Sequence, residues 1–148
     1  MIISKQQEFS DSQSLLATNQ ISTNVVDLGA TGTVLGAPTA LTRDIGPGNP
    51  IPIMIQVATA FAGAGTFNVE VLTASTTSMS GATTVAKSGD FTATSLISGF
   101  QIPIGVVPND VNQRYMALRY NLSAVTLTGS VDAAIVAALQ TNTAPGRA

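Results

Sequence analysis

The sequence predicts an all-β protein, a sandwich or barrel of about eight short strands. Three observations carry that prediction. Residues 115–122 alternate with a period of two: Met116, Leu118, Tyr120 and Leu122 are large and apolar, between Tyr115, Ala117, Arg119 and Asn121. Residues 66–72 repeat the pattern, with Phe67, Val69 and Val71 reading as inward and Asn68 and Glu70 as outward. Glycine-, proline- and serine-rich turn signals then recur at roughly ten-residue spacing, too dense for strands alternating with helices. No longer period indicates a solenoid or propeller.

Taken in order, residues 4–24 are rich in Gln and Ser and show no clean period. An extended N-terminal arm is expected over residues 1–22, able to add a strand to a neighbour's open sheet edge on assembly. The first strand candidate is 23–28, with Val26 and Leu28 on one side and Val25 and Asp27 on the other. Gly29, Gly32 and Gly36 punctuate the loose segment that follows. The run Arg43-Asp44-Ile45-Gly46-Pro47-Gly48-Asn49-Pro50 can continue neither a helix nor a central strand.

A strand begins near Ile53, apolar on both faces, and so is expected to be central and covered on both sides. Phe61-Ala62-Gly63-Ala64-Gly65 reads as a hairpin-like connection, and residues 73–84 as a surface loop in which Met79 is the exception. Short strand candidates follow at 84–87, 90–96 and 99–107. Past 115–122, Gly129 reads as a break before 131–140. There Val131, Ala133, Ile135, Ala137 and Leu139 share one face, leaving Ala134, Val136 and Ala138 on an outer face that something must cover. A helix competes over 131–140, because alanine favours it and Ser130 could cap it. Residues 141–148, with Pro145 and Gly146, read as a flexible tail.

The chain is 45% hydrophobic but only 9% charged, against roughly 25% in an ordinary soluble domain. Interface cores are depleted in charge, so this composition suits a protein much of whose surface meets other protein. It equally suits a small, neutral, secreted β-domain. A net charge of −2 supplies no field to attract nucleic acid or membrane. The N-terminus shows no apolar signal region and no run is long enough to span a bilayer, so synthesis in a host cytoplasm is expected.

Chemistry finds little to work with. There is no histidine and no cysteine, which removes the usual bases, thiol nucleophiles and zinc ligands. Asp11, Asp27, Asp44, Glu70, Asp90, Asp110 and Asp132 are spread singly and read as solvated or surface-paired carboxylates. Gly63-Ala64-Gly65 and Gly29-Ala30-Thr31-Gly32 are turns, since neither continues into a phosphate-loop pattern. Asn121-Leu122-Ser123 fits a glycosylation sequon inside a predicted strand and reads as chance. Arg114 is expected at the mouth of its strand, and Arg119 to pair with a carboxylate or a neighbouring subunit. No catalytic residue, metal site or cofactor is expected, and an interaction role remains.

Several segments, in a shared order, resemble one family. They are Met1-Ile2-Ile3-Ser4-Lys5-Gln6-Gln7-Glu8-Phe9-Ser10-Asp11, Ser22-Thr23-Asn24-Val25-Val26-Asp27-Leu28-Gly29, the Arg43–Pro50 run, and Gln113-Arg114-Tyr115-Met116-Ala117-Leu118-Arg119-Tyr120 with Gly129-Ser130-Val131-Asp132-Ala133. They are similar to the jelly-roll capsid cement, or decoration, proteins of tailed bacteriophages, Bordetella-phage type. The resemblance implies a two-sheet jelly-roll β-sandwich: an arm at 1–22, a cement domain at 23–140 and a flexible tail at 141–148. It implies a homo-oligomer, dimer or trimer, on the outer capsid surface, bridging major capsid protein subunits, with no nucleic acid or membrane partner. The residues expected at the subunit or capsid interface are Ile2, Ile3 and Phe9 on the arm and Ala134, Val136 and Ala138 on the last strand. The competing class is a carbohydrate- or receptor-binding β-sandwich of a fibre or adhesin, which the lack of tryptophan disfavours.

Overall fold

The structure, a computed structural model, describes residues 4–41, 43 and 50–139. Among them the chain forms β1 (Glu8–Leu15), β2 (Gln20–Ile21), β3 (Val26–Asp27), β4 (Ile53–Ala62), β5 (Thr66–Ala74), β6 (Thr83–Lys87), β7 (Phe91–Thr92), β8 (Tyr115–Leu122) and β9 (Thr128–Ile135). The only helical element described is a single 3-10 turn at Ala93–Ser95. The protein is an all-β sandwich, as the alternation predicts.

One sheet runs β1-β9-β4, and residues 97–107 extend it beyond β4 through the bridges Pro52↔Val106 and Gln56↔Gln101. The other places β2 and β3 end to end along β8, then β5, then β6 and β7 end to end along the far edge of β5. The first lane of chain therefore pairs with the last, the second with the last but one, and so inward to β5 and its β6/β7 edge. An antiparallel ribbon nested in this way and rolled over two sheets has the winding of a jelly roll.

Between the sheets lies one apolar core. It holds Phe9, Leu15, Ile53, Ile55, Val57, Phe61, Phe67, Val69, Val71, Met116, Leu118, Tyr120, Leu127 and Val131, with other apolar side chains around them. Phe61, Phe67 and Tyr120 form a ring series through it, at centroid distances of 4.9 and 6.3 Å. A polar link also crosses this core: the Tyr120 hydroxyl on β8 meets the Ser10 hydroxyl on β1 at 2.7 Å. Ser10 in turn donates to Gln13 Oε1, which also accepts from the Thr23 N–H. Burial raises the Tyr120 hydroxyl pKa well above the usual phenol value, so it stays protonated.

Four expectations need correction. Residues 8–15 of the supposed arm are β1, an integral strand whose Phe9 and Leu15 are fully buried; the strand it adds is to β9 of its own chain. Consequently no boundary at residue 22 separates arm from body. The 61–65 turn is tight, with Gly63 at φ +105°, but it carries the chain from one sheet to the other instead of closing a hairpin. Gly129 lies inside β9, not at a break, because a Cβ there would stand 2.5 Å from the Phe61 ring. The outward positions of β5 are not exposed either: Asn68 and Glu70 are buried under side chains of neighbouring strands.

Elsewhere the reading meets the structure more closely. Residues 131–135 are strand rather than helix. The first half of β4 is covered on both faces. The 23–28 candidate shrinks to β3, and the 90–96 candidate to β7 and its 3-10 turn. The 73–84 loop is held down by Met79, at φ +54°, which packs on Leu72, Ala74 and Ala117. The tail at 141–148 lies outside the described residues.

Candidate functional site

With no histidine or cysteine, the surfaces of the sandwich are the place to look. The outer face of the larger sheet is polar at its centre. Arg119 on β8 donates through Nε, at 2.8 Å, and through a terminal nitrogen to Glu70 Oε2 on β5. Lys87 on β6 approaches the other carboxylate oxygen at 3.7 Å. Burial pushes the Glu70 pKa up, but the Arg119 hydrogen bond and charge, helped by Asn121 and Lys87, outweigh it and hold the group below the ordinary value. Beside them Asn121 donates to Asn68, and Asn68 to Asp90, at 2.8 and 2.7 Å. This face spends its polar groups on itself. Asn121, the first residue of the sequon, is engaged inside β8.

At one end of the same sheet a second ion pair anchors the long β3–β4 connection. Arg114, just ahead of β8, clasps Asp27 on β3 through two bonds of 2.8 and 2.7 Å. The Gly29 N–H also donates to Asp27, at 2.8 Å. The Arg114 hydrogen bond, then the Gly29 N–H and the charges of Arg114 and Arg43 bring the Asp27 pKa down to about 2. Arg43 donates to the carbonyls of Leu28 and Gly29, fastening the far part of the connection to its start. Leu41 N–H bonds to Gly32. The tip is a tight turn, Ala37 N–H to Val34 O at 2.9 Å with Gly36 at φ +82°, on which Leu35 is fully exposed. A cleft of about 380 Å³ opens here, lined by Ala30, Thr31, Leu41, Arg43, Asn112 and Arg114.

The outer face of the smaller sheet is different: mostly small and weakly polar, with Asp132 on β9 accepting from the Ser12 N–H on β1. Ser14, Leu16, Thr59, Ala60, Ala62 and Ser130 line a shallow depression on it. Farther along, Met54 packs against Ala134 and Val136. Those two residues, expected at an interface, are thus buried within the single chain, and Phe9 lies in the core. Ala138 is exposed, while Ile2 and Ile3 lie outside the described residues. Of the described members of the interface set, Phe9, Ala134 and Val136 are buried and Ala138 is exposed. Sequence reasoning missed Leu35, Leu41 and Arg43, for which a Leu-Gly turn was the sole available signal.

Among the described residues no group of three or more carboxylates comes together as a metal-binding cluster. Asp44 lies outside them. Each of the described cations is engaged by the chain itself: Lys5 by Glu8, Lys87 and Arg119 by Glu70, Arg114 by Asp27, and Arg43 by carbonyls. Among the described residues, what stands outward includes a sheet face of mostly small side chains, an apolar loop tip, the single carboxylates Asp11, Asp90 and Asp110, and a cleft with two guanidiniums.

Comparison with known proteins bears on this arrangement. The Bbp16 family model matches residues 9–135. The chain belongs to the Bbp16 family. Bbp16 is of Bordetella-phage type, which makes this a phage-type protein. The match opens in β1 and closes on Ile135, the last residue of β9, so it spans the two-sheet body of this chain, first strand included. No curated protein matches the chain.

Proposed function

We propose that this member of the Bbp16 family is a structural virion protein, without enzymatic activity, that binds the outside of a phage capsid and cements neighbouring major-capsid-protein subunits. The observation that carries the reading is the family match across the entire sandwich. The surface supports it. A face of mostly small residues with few charges loses little on desolvation, since burying an unpaired charge is what makes association costly. The described cations, each engaged within the chain, give neither a stripe for phosphate backbones nor a field for an anionic membrane.

On this reading the protein acts as a homo-oligomer, a dimer or trimer. Each copy needs only modest affinity for the shell, because linked copies raise one another's effective concentration at adjacent sites. Purified protein added to shells lacking it is expected to saturate at symmetry-related positions, seen by imaging and by mass. Absence of saturable binding, with binding to glycans in its place, would overturn the reading in favour of an adhesin-like role.

A further inference from the structure

The described cations are few and mostly spread apart, yet two of them line one cleft. Arg43 reaches it from the β3–β4 connection and Arg114 from the entry to β8. Both also act on Asp27, whose carboxyl feels the charge of each. Among the described residues, one anion is set against two cations here, in a chain whose total is −2. Neither guanidinium is used up: each has five N–H donors, and the contacts with Asp27 or with the Leu28 and Gly29 carbonyls need two. Carbonyl acceptors also leave the Arg43 charge uncancelled. Asn112 adds a polar amide to the wall and exposed Leu41 an apolar side chain.

We propose that this cleft docks a carboxylate-bearing protein segment, an aspartate or glutamate of the shell subunit with an apolar side chain beside it. The identity of the partner rests on the cement reading; the chemistry of the cleft does not. Guanidinium groups favour carboxylates through paired, planar hydrogen bonds. A nucleic-acid backbone would need a row of cations, and these two stand without a third among the described residues of the lining. Leu41, with Val34 and Leu35 farther along the loop, suits an apolar neighbour of the acid. The anchoring of the loop by Arg43 means that the site exists before the partner arrives, which lowers the cost of ordering it.

The test is a titration of shells lacking the protein with wild type, Arg43→Gln, Arg43→Lys and Asp27→Asn. Arg43→Gln is expected to bind at least about tenfold more weakly, a loss of about 1.4 kcal/mol, and Arg43→Lys to fall between it and wild type, because an ammonium keeps the charge but not the paired hydrogen bonds. Asp27→Asn removes the competing internal anion and is expected to bind as well as wild type or better. A cluster with a merely structural role would instead be weakened by Asp27→Asn. Arg43→Gln binding like wild type, or Asp27→Asn binding markedly worse, overturns the proposal and leaves the cement reading standing. Should Arg43→Gln fail to fold, Asp27→Asn decides alone. If wild type does not bind shells, the cement reading fails, and the cleft is judged by the side-chain N–H signals of Arg43 and Arg114. Acetyl-Leu-Glu-Leu-Glu-amide is expected to shift them and its glutamine counterpart to leave them in place; no difference between the two overturns the proposal.

Discussion

At the scale of the residue, the hydroxyl pair Ser10–Tyr120 shows how much depends on which partner is removed. Tyr120→Phe takes away a donor and leaves Ser10 bonded to Gln13. Ser10→Ala instead strands a fully buried phenol hydroxyl, which costs more than losing the bond itself. Urea denaturation is expected to show Ser10→Ala destabilised by about 1–3 kcal/mol and Tyr120→Phe by about 1 kcal/mol; the reverse order would mean that the link does not form. Acid acts on different residues. Asp27 has its pKa lowered from 3.8 to about 2, and Glu70 is lowered too. Both therefore bind protons less readily in the folded state, so their stabilisation is complete above the unfolded values and lost as pH falls through the folded ones. The melting temperature is expected to drop between about pH 4 and pH 2, and Asp27→Asn to show a smaller drop across that window. An identical acid profile for the variant would remove Asp27 from the account.

At the scale of the element, strands with an unbroken period were legible and strands with an interrupted one were not. β8 keeps its alternation over its whole length, and the sequence therefore shows it directly. β1 does not, because its register against β9 shifts twice and Ser12 sits at φ +45°. Those irregularities bring both Phe9 and Ser10 inside, so the polar run Ser10-Asp11-Ser12-Gln13-Ser14 looks like an arm although it is a ladder. Gly129 reads as punctuation for the same kind of reason: a sequence cannot show that a ring from β4 fills the space of its missing side chain. The cleft was harder still, since Arg43 and Arg114 are brought together only by the pairing of β3 with β8. Deleting residues 1–15 is expected to abolish cooperative unfolding, because it removes Phe9, Leu15 and one whole edge of the smaller sheet. A truncated protein with an unchanged melting transition would restore the view of a detachable arm.

At the scale of the whole molecule, cementing differs from mere attachment in what it does to the shell. A protein bridging two subunits must be released before they part, so its binding free energy opposes their separation. Shells carrying the protein are expected to release their DNA at a higher temperature than bare shells, followed by dye uptake on heating. Equal release temperatures, with binding intact, would make it an ornament and not a cement. The rolled ribbon has a further consequence, for synthesis. Because the opening strand is flanked by the closing one, a ribosome must deliver Ile135 before the smaller sheet can form around its middle strand. Until then Phe9 and Leu15 have no permanent home, and the nascent polypeptide must be kept from sticking to its neighbours during the seconds that translation takes.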